Sequence, residues 1–163
     1  MIVSPIKLIE SNIIKNIMSD DQIQPNGIDF TLDKLFQEED GPFFLGKETK
    51  EHRKYRAAAT MGGHFLLDPK TSYDFASNIV IELPNNMCAQ IIGRSTLNRN
   101  SIFLTSGWWD SGYKGNIGGQ IHNMSNQPAF IEAGARIGQI IFHEAAAASS
   151  YKGQYNWWSR AAG

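Results

Sequence analysis

From residue 61 onward the chain is a succession of short runs punctuated by glycine, proline and asparagine. They read "HFLLD", "YDFA", "IVIELP", "CAQIIG", "SIFLTS", "NIGGQIHN", "PAFIEA" and "RIGQIIFHEA". Alternation with period two places one row of side chains on a core and the other on solvent, which is a strand pattern and not a helical one. Recurrence about every ten residues, with turn residues between, is the signature of an all-β sandwich or barrel. The expected architecture is therefore a distorted β-barrel or jelly-roll-like sheet.

The N-terminal third reads differently. Ile and Leu at 6, 8, 9, 13, 14 and 17 approach helical spacing, so a short amphipathic helix is expected over 5–18, with Ser4 as cap before Pro5. Asn26-Gly27 signals a turn, and "IDFTL" then alternates as a strand. Residues 36–60 are charged and broken, which predicts an irregular excursion or a loose hairpin. "STLNRN" (95–100) lacks strand character and suits one helical turn capped by Ser95. The tail is small residues followed by aromatics, either frayed or a flap. The expected organisation is one domain over 1–150 and a flap or tail over 151–163.

Composition bounds the function. A chain of 163 residues with 42% hydrophobic and 11% aromatic side chains can bury a core. A net charge of -1 argues against nucleic acid, which demands a basic face. Cys88 is the only cysteine, so neither an internal disulfide framework nor a Cys-x-x-Cys zinc site can be built. Pro5, Glu10 and Lys15 interrupt any secretory apolar core, and no run is long enough to span a bilayer. The expectation is a cytoplasmic protein without membrane or nucleic-acid partners.

The segment 93–115, "GRSTLNRNSIFLTSGWWDSGYKG", carries the chemistry. Between Leu83 and Ile131 the only carboxylate is Asp110, while Arg94, Arg99 and Lys114 lie in the same stretch. Arginine supplies forked donors for phosphate oxygens, and one isolated acid can orient a water. Glycines around Asp110 permit unusual backbone dihedrals. Spacing alone leaves the bland alternative open: arginines at strand ends and an ordinary Gly-Tyr-Lys-Gly hairpin.

"GRSTLNR" followed by "GWWDSGYKG" resembles the paired motifs of the dUTPase and dCTP deaminase superfamily. "QPNGIDFTL", "GARIGQIIFHEA" and the tail "SSYKGQY" match further motifs in order, from residue 1 to about 155. "QPNGIDFT", "LNRNS" and "WWDSGYKG" look most like the archaeal-type dUTPases, whose architecture is deaminase-like. The resemblance implies a β-clip fold, a homotrimer with sites at subunit interfaces, and a deoxynucleoside triphosphate as ligand. It implies that Arg94, Ser95 and Thr96 cradle phosphates, that Arg99 reaches its own or a neighbouring site, and that Asp110 holds the sugar 3′-hydroxyl and orients the attacking water. Tyr113 would stack on deoxyribose and exclude a 2′-hydroxyl. Gly118, Gly119 and Gln120 would read the pyrimidine, with Gln139 a weaker candidate. Tyr151 and Gln154 would belong to the closing flap. Mg²⁺ would ride on the triphosphate, with no direct protein ligand and Asp29 reaching it at most through water.

One departure from the superfamily pattern divides its two reactions. Where dCTP deaminases carry a glutamate that shuttles protons to the base, this chain has Gln120, and an amide cannot take and return a proton near neutral pH. With Asp110 as the only carboxylate in the segment, no substitute acid is expected nearby. Hydrolysis at the α-phosphorus needs only a placed water, a base and cations. The expected activity is therefore Mg²⁺-dependent dUTP diphosphatase, giving dUMP and pyrophosphate. dCTP deamination, alone or combined, is the alternative, and a catalytically silent nucleotide-binding regulator is the third. His122 and His143 read as satisfied strand histidines and Cys88 as a small core residue. At least one of Trp108 and Trp109 is expected in the core, and Trp157 and Trp158 suggest docking on a neighbour.

Overall fold

The computed structural model describes residues 1–153. A helix α1 (Pro5–Glu10) and strand β1 (Ile14–Lys15) lead into a 3-10 turn (Asp20–Gln22) and the hairpin β2 (Ile23–Gln24) and β3 (Gly27–Thr31). Strand β4 (Lys34–Glu38) opens an excursion through β5 (Phe44–Leu45), β6 (Lys50–Glu51), β7 (Tyr55–Ala57) and β8 (Thr60–Met61). Then come β9 (His64–Leu67), β10 (Thr71–Glu82), β11 (Met87–Gly93), helix α2 (Ser95–Asn98) and β12 (Ile102–Thr105). Strands β13 (Lys114–Asn123), β14 (Ala129–Glu132) and β15 (Arg136–Glu144) complete the domain.

The all-β expectation holds. One sheet runs β12-β13-β10-β4-β7, with β1 also on β10, and a second runs β11-β15-β3-β2. Smaller sheets, β14-β9-β8 and β5-β6, flank them. The hydrogen-bonded paths among the described strands do not close into one barrel, so the jelly-roll-like description fits better. Phe30 of β3 and Phe75 of β10 stack at 5.7 Å between ring centroids, joining the two large sheets. Around them Ile28, Ile79, Ile81, Ile117, Ile121, Ile140 and Phe142 are wholly buried. Each such side chain contributes roughly 1.5–3 kcal/mol by leaving water.

Several local expectations are corrected. The helix stops at Glu10, well short of residue 18, because Asn12 adopts φ 54° and ends it. Asn12 N–H donates to Ile9 O at 2.9 Å and Ile13 N–H to Leu8 O at 2.9 Å, the paired bonds of a Schellman motif with asparagine in the left-handed position. Ser4 is the N-cap residue, yet its side chain makes no capping bond, and Pro5 at the first helical position does the initiating. The turn between β2 and β3 is Pro25-Asn26, not Asn26-Gly27, since Gln24 pairs with Gly27. Gly27 is required for another reason: a Cβ there would lie 2.7 Å from Ile140 O. "YDFA" and "IVIELP" are one strand, β10, with a register irregularity between Ala76 and Val80. The N-cap of α2 is Arg94, and Ser95 is its first residue. The 36–60 segment is the loose hairpin, with β4 pairing β7 and the short β5–β6 hairpin between them.

Candidate active site

Alternation along β10 turns Tyr73 and Phe75 into the core and leaves Asp74 on the opposite face. Register then sets a row across four strands: Thr105 of β12 beside Gln120 of β13, Gln120 beside Asp74 of β10, and Asp74 beside Phe36 of β4. Over this row lies a cavity of about 230 Å³, walled by Asp74, Thr105 and Gln120 together with Tyr55, Ser106, Gly107 and Gly119. Asp74 is 5% exposed. His122 braces one end of the row: its Nε2 lies 2.8 Å from Thr105 Oγ1 and its Nδ1 2.8 Å from Ser72 Oγ. Gly119 lets the strands close here, because a Cβ would come within 3.1 Å of both Phe75 Cε1 and Ser106 Cβ. Asp74 corrects the expectation that no acid lies near Gln120. The carboxylate comes from a strand some forty-six residues upstream, delivered by pairing and not by local sequence.

Asp110 lies elsewhere, on the wall of a second cavity of about 520 Å³. Trp108, Asp110 and Ser111 form one side of it, and the strap 145–152 with Tyr151 the other. The strap is tied down: Tyr151 N–H donates to Ser111 O at 2.7 Å and Ser150 Oγ donates to Asn85 Oδ1 at 2.5 Å. Of the two tryptophans, Trp109 is buried and exchanges backbone bonds of 3.0 Å in both directions with Ala89, whereas Trp108 is half exposed and stacks on His143. Cys88 is buried at the floor of this cavity. Tyr113, expected against a sugar, is itself buried in this chain. Its hydroxyl donates to Asn116 O at 2.7 Å and its ring meets Tyr151 edge-on at 5.6 Å. Burial pushes the Tyr113 phenol up to about 12.

The cationic group stands apart from both cavities. Arg94 is half-buried, its Nη1 donating to Arg136 O at 3.2 Å, while Ser95, Thr96 and Arg99 are exposed on and after α2. None of these four lies in the wall of either cavity. Gly118 is buried two residues from Gln120, beside Ala76. Gln139 and Asp29 face each other on β15 and β3: Gln139 Nε2 donates to Asp29 Oδ1 at 3.3 Å. Arg136 Nη1 approaches Asp29 Oδ2 at 3.4 Å. Both carboxylate oxygens of Asp29 thus face protein donors, one a cation. Among the described residues no group of three or more His, Cys, Asp or Glu side chains is placed to hold a metal ion. Gln154, Trp157 and Trp158 lie outside the described residues. No helix among the described residues is long and apolar enough to cross a membrane.

A family model described as dCTP deaminase-like matches residues 5–145. The chain belongs to that family. A relative from Methanopyrus kandleri, named a probable deoxyuridine 5'-triphosphate nucleotidohydrolase, is 33% identical over 138 residues, covering 85% of this chain and 90% of the relative. A second, from Persephonella marina, named a dCTP deaminase (dUMP-forming), is 32% identical over 139 residues, covering 82% of this chain and 77% of the relative. The structure of a 2'-deoxycytidine 5'-triphosphate deaminase from Agrobacterium tumefaciens superimposes with a TM-score of 0.68 at 20% identity. That match covers 88% of this chain and 48% of the solved chain, so this chain spans about half of it. The two relatives are nearly equal in identity, and their names differ: one is a nucleotidohydrolase, the other a deaminase that forms dUMP.

Proposed function

We propose that the chain hydrolyses dUTP to dUMP and pyrophosphate. The observation that carries the reading is the placement of Asp110: an exposed carboxylate on an open cavity, next to an anchored tryptophan, with an amide and not a glutamate at position 120. A water held by Asp110 would attack the α-phosphorus, Asp110 accepting its proton, with pyrophosphate leaving. Arg94, Ser95, Thr96 and Arg99 would bind the phosphates. Because they stand outside the Asp110 cavity, the reading requires a neighbouring copy to bring them in, as in a homotrimer with shared sites. Exposed Ile92 and Phe103, on β11 and β12, give such an interface apolar area. Mg²⁺ would enter as the substrate's own counter-ion, and no protein step depends on it here.

Asp74 favours a second reading, dCTP deamination, since it supplies a carboxylate beside Gln120. Incubating the protein with dUTP and with dCTP, and resolving nucleotide, pyrophosphate and ammonia, separates the two. dUMP and pyrophosphate from dUTP without ammonia from dCTP is the expected result. Ammonia from dCTP with no turnover of dUTP would overturn the proposal.

A further inference from the structure

The buried carboxylate of Asp74 has no part in phosphate hydrolysis, yet it forms a wall of the cavity at Gln120. We infer that Asp74 reads the pyrimidine, accepting the ring-edge N3–H of uracil. The inference rests on the diphosphatase reading for the identity of the substrate and on the cavity for the role of the residue.

Three observations lead there. First, the cavity, about 230 Å³, lies below the roughly 300 Å³ at which drug-sized pockets begin, so it suits a single ring and not a whole nucleotide. Second, its wall contains a carboxylate, an amide and hydroxyls but no Lys or Arg. Carboxylate oxygens accept hydrogen bonds, so they select a ligand edge that carries a donor. Third, Thr105, Gln120 and Asp74 come from adjacent strands in register, spaced roughly 4.8 Å apart. A flat ring laid along that row meets neighbouring amide and carboxylate groups together. Uracil's edge offers an acceptor, a donor and an acceptor; Gln120 can donate to a carbonyl while Asp74 accepts N3–H.

The test is a cycle between residue and substrate. dUTP and N3-methyl-dUTP, which lacks the donor, are compared on the full chain and on Asp74→Ala. A hydrogen bond to a charged acceptor is worth about 10- to 100-fold, so the parent should favour dUTP by that factor in kcat/KM, and the preference should fall to near one in Asp74→Ala. If the alanine variant does not fold, as judged by its thermal melt, Asp74→Leu replaces it, since leucine suits a strand position of this volume. A preference that survives in a folded variant overturns the inference, as does a parent that treats both substrates alike. A parent that turns over neither sinks the diphosphatase reading alone, and calorimetric binding of the same two nucleotides then decides the role of Asp74 by the same ratio. Ammonia release from dCTP that disappears in Asp74→Asn would make the residue a proton carrier and overturn its assignment as a reader.

Discussion

Replacing Asp29 by alanine should damage the fold and leave the metal dependence of turnover alone. The residue matches the acid that the superfamily resemblance connects with hydrated metal, but its surroundings are those of a strut. Its backbone carbonyl accepts Gln22 Nε2 at 2.8 Å, and its carboxylate faces Gln139 Nε2 at 3.3 Å and Arg136 Nη1 at 3.4 Å. A fully buried ion pair broken on one side costs about 3–5 kcal/mol. Here the bonds are long, the Arg136 side chain is 34% exposed, and it retains Asp21 O at 2.6 Å, which lowers the figure. The Gln139 amide, losing its acceptor, adds about 1–3 kcal/mol. A net loss of about 2–3 kcal/mol follows, or roughly 4–12 °C in Tm at about 2–4 °C per kcal/mol for a chain of this size. Asp29→Asn, which keeps a neutral acceptor, should lose about half as much. Calorimetric melting gives Tm, and a Mg²⁺ titration of dUTP turnover gives the half-activating concentration. A melt unchanged within about 1 °C, combined with a clear shift in the Mg²⁺ requirement, would refute the strut and restore the metal role.

Other consequences are open to measurement. Asp110→Asn should melt as the parent does and lose about 10²–10⁴ in dUTP turnover, the usual cost of removing a positioned base; unchanged turnover removes Asp110 from the mechanism. Tyr113, with its phenol at about 12 against 10.0 for the free group, ionises more readily in the unfolded chain, so the stability it supplies is complete below pH 10 and is lost as pH rises from 10 to 12. Tyr113→Phe should flatten that alkaline decline in denaturant unfolding, and an identical decline in the variant would assign it to other groups. Gly138→Ala should destabilise by about 1–3 kcal/mol, because the new methyl would lie 2.6 Å from Phe30 Cε1 and 2.8 Å from Ile92 O; a Tm equal to the parent's would show that Phe30 yields without cost.

The strands were legible in the sequence because their signal is local. Alternation in "HFLLD" and "PAFIEA", closed by turn residues, needs nothing beyond the segment itself. The helix boundary is poorly marked in the sequence, because Ile13, Ile14 and Ile17 continue a helical spacing, while the stop is an asparagine in the left-handed conformation, a weaker cue than glycine. β10 reads as two strands because Ser77 and Asn78 interrupt the apolar alternation. Ser77 is nevertheless fully buried: Asn116 Nδ2 donates to its carbonyl at 3.3 Å, and its own Oγ accepts Ile79 N–H at 3.3 Å. Asp74 was missed for a different reason. The sequence does show it between Tyr73 and Phe75, and alternation sends it to the face opposite the core. Its importance depends on lying beside Gln120, and register between strands so far apart is fixed by the assembled sheet. The available cue was an acid set between two aromatic residues, Tyr73 and Phe75.

The two cavities are linked by one short stretch of chain. Thr105, Ser106 and Gly107 wall the smaller one; Trp108, Asp110 and Ser111 wall the larger. The stretch is pinned at three points: Thr105 by its register with Gln120, Trp109 by its double backbone bond to Ala89, and Ser111 by the Tyr151 amide. Trp109 is buried while the acid that follows it is exposed, so the loop holds Asp110 in place without covering it. Five residues from Thr105 to Asp110 reach at most about 18 Å when extended. A nucleotide whose ring occupies the smaller cavity would run beside this segment, its phosphates leaving a pocket walled by an acid and approaching Asp110. On the proposed reading the cationic contact comes from Arg94 and Arg99, which lie outside both cavities, and a neighbouring copy of the chain would bring them to the isolated acid of "GRSTLNRNSIFLTSGWWD".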